Sequence, residues 1–315
     1  MFTPPGAGDI MAVPAEGPET RRTMSETKLQ VALDFVELAR AMKVAQAAVA
    51  GGADYLEAGT PLIKSEGLDA VRKLREAFPD KTIVADMKTM DAGRIEAEAA
   101  AKAGANVITV LGAASESTLR ECVEAGRHYG IAVAVDLLGV ADPAALAKRA
   151  AELGVGWLDV HCAIDVQMTG GDPLALLRTL RGQTNLTLAV AGGLNSETAA
   201  AAAAAGADVI IVGGAITKAS DPRRATEEIR KAIDTRHAVA TTLFKRAGEG
   251  DLRRVLAAVR SSNLSDGAHR LPCLEGLRPL QQGVAICGPA VTVRTVPGDW
   301  AKPVEAIDVA QAGDV

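Results

Sequence analysis

A string resembling Ala-Gly-Ala-Asp, followed by a short apolar run, occurs four times in this chain and constrains its fold more than any other feature. The copies are Gly51 to Gly59, Ala103 to Val110, Leu153 to His161 and Ala205 to Gly213. Their marker glycines Gly52, Gly104, Gly154 and Gly206 stand 52, 50 and 52 residues apart. A regular period of this kind means that one supersecondary unit is being repeated. Each period is about twice the length of a strand-helix unit, so a second strand is expected inside each. Four further apolar runs supply it: Leu29 to Asp34, Thr82 to Met87, Ile131 to Leu137 and Leu186 to Ala191. Three of these carry Asp34, Asp86 and Asp136 at or near their ends, again 52 and 50 residues apart.

Between the eight runs lie Ala-, Glu-, Lys- and Arg-rich segments with helical spacing, at 36–50, 66–77, 91–103, 116–128, 143–153, 173–181, 195–205 and 222–234. Glycine follows several of them, as a helix stop does. Eight alternating strands and helices over residues 28–236 specify a (β/α)8 TIM barrel of the α/β class. Composition agrees: apolar residues make up 48% of the chain but aromatics only 3%, so the core is Ala, Val, Leu and Ile, as parallel strands under small-residue helices require. An open doubly wound sheet is disfavoured because no G-x-G-x-x-G follows the first strand.

Residues 1–27, rich in Pro, Gly, Glu and Thr, read as a disordered extension. Residues 237–315 read as a linker helix, continuing to about 250, and an incomplete α/β segment. That segment has an amphipathic stretch at 251–260 and strand-like sequence from Gly283 to Pro297, too little for a comfortable core of its own. The net charge of −5 argues against a nucleic-acid partner. No apolar run is long enough to span a membrane. Four scattered cysteines without a C-x-x-C pair fit free thiols and a cytoplasmic location.

Chemistry concentrates at Asp86-Met87-Lys88-Thr89-Met90-Asp91, where an apolar strand ends in D-x-K-x-x-D. Charges there are costly unless paired or bound to a cation. In such barrels the C-terminal strand ends form the reactive mouth. Those ends supply Asp34, Glu57, Asp86, Lys88, Asp91, Asp136 and His161. Converging acids with one lysine call for a divalent cation, and an all-oxygen donor set favours Mg2+, with Glu57 and Asp86 as its ligands. Asp91 stands where a helix cap is also expected. His161 can shuttle a proton. Gly192-Gly193 and Gly213-Gly214 follow strands seven and eight, the usual phosphate cradle of this fold, and point to a phosphorylated substrate.

These motifs resemble the orotidine 5′-phosphate decarboxylase superfamily, and within it the 3-hexulose-6-phosphate synthases, over residues 28–236. The resemblance rests on Leu33-Asp34, Glu57 to Ile63, Ala85 to Asp91, Val160-His161, Val190 to Leu194 and Val212 to Thr217. It implies a Mg2+-dependent aldol condensation of formaldehyde with D-ribulose 5-phosphate through an enediolate. Glu57 and Asp86 would bind the metal, His161 would move the C1 proton, Lys88 and Asp34 would stabilise the enediolate, and Asp91 would reach into the other subunit of a homodimer. Gly192, Gly193, Gly213 and Gly214 would hold the phosphate. The related 3-keto-L-gulonate 6-phosphate decarboxylases carry arginine where this chain has Gly214. Residues 261–299 are similar to the start of the ribonuclease-regulator A-like aldolases but lack their later metal and catalytic pair, which implies a catalytically silent segment. A regulatory binder acting through it is the non-enzymatic alternative.

Overall fold

The computed structural model describes residues 26–162, 173–241, 252–267, 286–298 and 300–315. The expected extension at 1–27 lies outside them except for its last two residues. Eight parallel strands run β1 Lys28–Leu33, β2 Tyr55–Ala58, β3 Thr82–Thr89, β4 Val107–Leu111, β5 Ala132–Asp136, β6 Trp157–His161, β7 Thr187–Ala191 and β8 Val209–Val212. Each pairs with the next, and β1 also pairs with β8, closing the barrel. The four marker glycines all have φ between +86° and +98°. Only glycine takes that backbone cheaply, so each repeat stops a helix and redirects the chain into a strand.

The helices are α1 Leu38–Ala50, α2 Thr60–Glu66, α3 Asp69–Ala77, α4 Gly93–Lys102, α5 Glu116–Tyr129, α6 Pro143–Leu153, α7 Pro173–Arg181, α8 Thr198–Ala204, α9 Gly214–Thr217 and α10 Pro222–Thr235. Small residues on their inner faces, such as Ala41, Ala45 and Ala48 on α1, let the helices lie close against the outer face of the barrel. That interface, with Leu29, Leu56, Ile83, Ile108, Leu158, Leu188 and Ile210 fully buried, is the main core. Inside the barrel a separate cluster takes side chains from every strand, including Ala32, Tyr55, Val84, Val107, Ala134, Trp157, Ala189 and Val209. Because side chains alternate along a strand, the same inward parity continues upward to Asp34, Glu57, Asp86, Thr109, Asp136, Asp159 and His161. The Tyr55 and Trp157 rings lie 6.1 Å apart in the barrel interior.

The chain after β2 differs from the expected pattern, because α2 forms before α3. Pro61 suits its first turn, and Gly67, at φ +67°, ends it. The helix expected to continue from 235 to about 250 instead stops at Thr235. Arg236 turns left-handed at φ +55°, and 237–241 is not helical; residues 242–251 lie outside the described ones.

Residues 245–315 form a second compact unit. It contains α11 Leu252–Ala257, α12 Ser261–Gly267 and α13 Ala301–Val309. The strand-like sequence expected at 283–297 is not a strand among the described residues. Val291 N–H donates to Val315 O (2.8 Å) and Val315 N–H to Pro289 O (2.8 Å), and a single pair of this kind does not make a ladder. Neither α11 nor α13 buries a residue, and Trp300, Ile307 and Ile286 are each more than 70% exposed. Cys122, Cys162 and Cys287 are not joined in disulfides among the described residues, and no described helix is long and apolar enough to cross a membrane.

Candidate active site

Strand β3 delivers the centre of the site. Its pairing with β4 slips between Ala85 and Thr89, and Lys88 there adopts φ +47°, a left-handed conformation that is uncommon for a side-chain-bearing residue. The bulge folds Lys88 back, so that its Nζ donates to both Asp86 oxygens at 2.9 Å and to Asp136 Oδ2 at 3.1 Å. Thr109 Oγ1 donates to Asp86 Oδ1 (2.8 Å), and the Thr60 hydroxyl (2.7 Å) and N–H (3.3 Å) donate to Oδ2. Desolvation works against the Lys88 ammonium, but the Asp86 and Asp136 carboxylates outweigh it and raise its pKa, so this lysine is a fixed cation.

Asp136, at the end of β5, is the second hub. Its Oδ2 also meets His161 Nδ1 at 3.0 Å, and its Oδ1 accepts the Leu138 N–H at 2.8 Å. A carboxylate can only accept, so Nδ1 carries the hydrogen, which makes Nε2 the proton-accepting nitrogen of the neutral ring. Burial pushes the Asp136 pKa up. The hydrogen bond and charge of His161, then the Lys88 charge and the Leu138 N–H, reverse this and leave it lowered.

Glu57 is buried and accepts from Gln30 Nε2 at 2.6 Å. Burial first, then the charges of Asp86 and Asp34, raise its pKa well above the ordinary range. Asp34 reaches solvent at the mouth, yet burial by the surrounding protein, followed by Asp86, raises its pKa too. Room for Asp34 comes from glycine: a Cβ on Gly59 would sit within 2.2 Å of Asp34 Oδ1, and one on Gly213 within 3.5 Å of Oδ2. Gly192 and Gly193 follow β7 at φ +122° and +67°, a backbone open to them as glycines; Gly213 precedes α9, and Gly214 is its first residue.

The structure thus gathers Asp34, Glu57, Asp86, Lys88 and His161 at one end of the barrel. Asp91 stands apart from them: it is exposed and makes no hydrogen bond or ion pair among the described residues. Nor does it cap α4, whose N-cap is Ala92, at φ +55° with no side-chain cap bond. Sequence reading assigned no role to Asp136, Gln30, Thr60, Thr109 or Asp159. For Asp136 and Asp159 the usable signals were the repeat and the two-residue alternation with His161.

Asp159 is buried in the barrel, and its Oδ1 has no hydrogen-bond partner among the described residues. Burial, then the Asp136 and Asp86 charges, raises its pKa well above the ordinary range. An unfolded aspartate ionises near pH ~3.9. The folded state therefore holds a proton that the unfolded chain has lost, and stability falls as pH rises from there to the folded pKa. Asp159→Asn, always neutral, is expected to gain on the wild type by about 1.4 kcal/mol for each pH unit between those two values. Thermal melts from pH 4 to 8 measure this, and a difference that stays constant with pH would contradict it.

A closed barrel whose mouth holds acids and a histidine around a fixed lysine is an arrangement suited to a lyase. The sequence profile of the orotidine 5′-phosphate decarboxylase / HUMPS family matches residues 27–229, and the chain belongs to that family. The Aldolase/RraA profile matches residues 261–315. The 3-hexulose-6-phosphate synthase of Mycobacterium gastri is 42% identical over 206 residues, which is 65% of this chain and 99% of the relative. That of Methylomonas aminofaciens is 42% identical over 201 residues, 64% of this chain and 96% of the relative. The crystal structure of the Salmonella typhimurium 3-hexulose-6-phosphate synthase superposes with a TM-score of 0.64 at 37% identity, covering 67% of this chain and all of that one. KGPDC from Streptococcus mutans in complex with D-R5P gives 0.63 at 28% identity, covering 67% of this chain and 99% of that one.

Proposed function

We propose that the barrel is a 3-hexulose-6-phosphate synthase-type aldolase, condensing formaldehyde with D-ribulose 5-phosphate. One observation carries this reading beyond the family resemblance: Asp136 joins Lys88 to His161, so a fixed cation and a proton carrier are held on one carboxylate beside Glu57 and Asp86. By pinning Nδ1–H, Asp136 leaves Nε2 to take the C1 proton of the sugar and to return it in the reverse direction. On this reading Lys88 offsets the charge that grows on the adjacent substrate oxygens, and Asp34, whose pKa burial and the Asp86 charge raise, helps to stabilise it. Gly192, Gly193, Gly213 and Gly214 offer backbone N–H groups to the phosphate.

The donor set fits Mg2+, because Glu57 and Asp86 are hard oxygen ligands in a site with more acids than bases. No described group of three acid, histidine or cysteine side chains makes a fuller shell, so water or substrate oxygens complete it, as Mg2+ commonly allows. When bound, the ion would supply Lewis-acid stabilisation of adjacent substrate oxygens. On this reading Asp91, exposed and unpaired among the described residues, would serve a second subunit of a homodimer.

With Mg2+, ribulose 5-phosphate and formaldehyde, the expected result is formaldehyde loss matched by hexulose 6-phosphate formation. Exhaustive chelation should abolish the activity and Mg2+ should restore it; activity that survives chelation would remove the roles given to Glu57 and Asp86. The S. mutans likeness makes decarboxylation the second reading. Release of CO2 from a keto-acid sugar phosphate, without formaldehyde consumption, would establish it in place of the first.

A further inference from the structure

Beyond α10 the chain reverses direction. Arg236 takes the left-handed turn, and His237 is held by its N–H on Thr235 Oγ1 (3.3 Å) and by its Nδ1 on Thr235 O (2.6 Å). Four residues later Thr241 lines the same small cleft as Glu228 and Ile229 of α10, so the strap 236–241 has doubled back along that helix.

The strap meets the loop between β7 and α8. Val239 N–H donates to Ser196 O (3.0 Å), and Ser196 Oγ donates back to Val239 O (2.7 Å). Thr241 N–H donates to Glu197 Oε1 (3.0 Å). Ser196 is only 3% exposed and Val239 is half-buried, so this two-way pair is partly shielded from water.

The clamped loop also behaves as one piece. Asn195 Oδ1 accepts the N–H groups of Glu197 (2.9 Å) and Thr198 (3.2 Å), and Leu194 and Asn195 are buried. Gly192 and Gly193 lie directly before them. The opposite wall of the cleft includes Ala215 of α9, which follows Gly213 and Gly214. The strap therefore bonds to the loop after β7 and shares a cleft with Ala215 beside the loop after β8, yet it lies beyond residue 229, where the family match ends.

We propose that residues 236–241 are a latch that positions the β7 and β8 loops to grip the sugar phosphate, an addition of this chain to the family barrel. This rests on the phosphate reading of those loops. Binding and latching are reciprocal: a phosphate that favours the ordered loops favours the docked strap by the same factor.

The test uses the full-length chain. Val239→Pro removes the N–H given to Ser196, whereas Val239→Ala keeps both backbone groups. Val239→Pro is expected to raise KM for ribulose 5-phosphate, and the inhibition constant of inorganic phosphate, about tenfold, the scale of one lost buried hydrogen bond. The KM for formaldehyde and kcat should stay within about twofold, and Val239→Ala should match the wild type. Saturating inorganic phosphate should slow hydrogen exchange at the Val239 and Thr241 amides of the wild type. If phosphate binds the wild type and Val239→Pro equally, the latch is wrong while the phosphate site stands. An equal loss in Val239→Ala would also overturn it. If phosphate does not bind the wild type at all, the phosphate reading fails and the latch with it.

Discussion

Asp86→Asn is expected to lower kcat/KM for the aldol reaction by about three orders of magnitude while the barrel stays folded. The substitution keeps the side-chain volume and one acceptor oxygen, so packing around β3 persists while the Thr60 or Thr109 hydroxyl facing the new NH2 turns to accept from it. What it removes is the charge holding Lys88 from one side, and one of the two carboxylates offered to a divalent cation. Stability moves the other way from activity. Glu57 and Asp34 are both pushed up in part by the Asp86 charge, and Lys88 retains Asp136, so removing one acid relieves repulsion in an acid-rich site. A thermal melt at or above the wild-type midpoint together with collapsed turnover would show that charge is the cause. Turnover within about tenfold of wild type would remove Asp86 from the centre of the chemistry.

The repeat made the barrel legible because each marker glycine serves one physical need, a left-handed helix stop feeding the next strand. Helix α2 escaped notice because it has only seven residues and starts on Thr-Pro in what reads as a loop. The extension beyond Thr235 has helical composition, but Arg236 ends the helix and the backbone is used by Ser196 and Glu197 instead. Such tertiary overrides of local propensity leave no trace in one sequence.

The acids of the candidate site were legible for a different reason: a charge at the end of an apolar strand is expensive, so its presence marks a candidate site. Gln30, Thr60 and Thr109 carry no such signature. A single hydroxyl or amide in an apolar run costs little to explain away, and their role emerges only once neighbouring strands bring them to Glu57 and Asp86. Asp159 shares the inward parity of His161 yet has an oxygen without a partner, so it adds a buried acid rather than another catalytic hydrogen bond.

The neighbouring charge tests the opposite side of the same balance. Lys88→Met keeps most of the aliphatic stem but deletes the ammonium, and should cost both activity and stability. Loss of charge stabilisation at the substrate oxygens predicts a fall in kcat/KM of about a thousandfold. Loss of a cation between side chains only 6% and 2% exposed, Asp86 and Asp136, predicts destabilisation of about 3 kcal/mol, the lower end for breaking a buried pair. The pH dependence distinguishes this from a packing defect. Asp136 is held below the usual carboxylate range, so its interactions contribute stability above the unfolded pKa and lose it as pH falls through the folded pKa. Lys88 supplies part of that lowering, so the gap between wild type and Lys88→Met should be widest at neutral pH. It should narrow only as pH falls toward the folded Asp136 pKa, below the usual carboxylate range, because the unfolded state is common to both proteins. Urea unfolding at pH 7 and pH 3.5 measures it. An equal deficit at both pH values would assign the loss to the shape of the methionine; a smaller deficit at pH 3.5 than at pH 7 assigns it to the two carboxylates that Lys88 leaves behind.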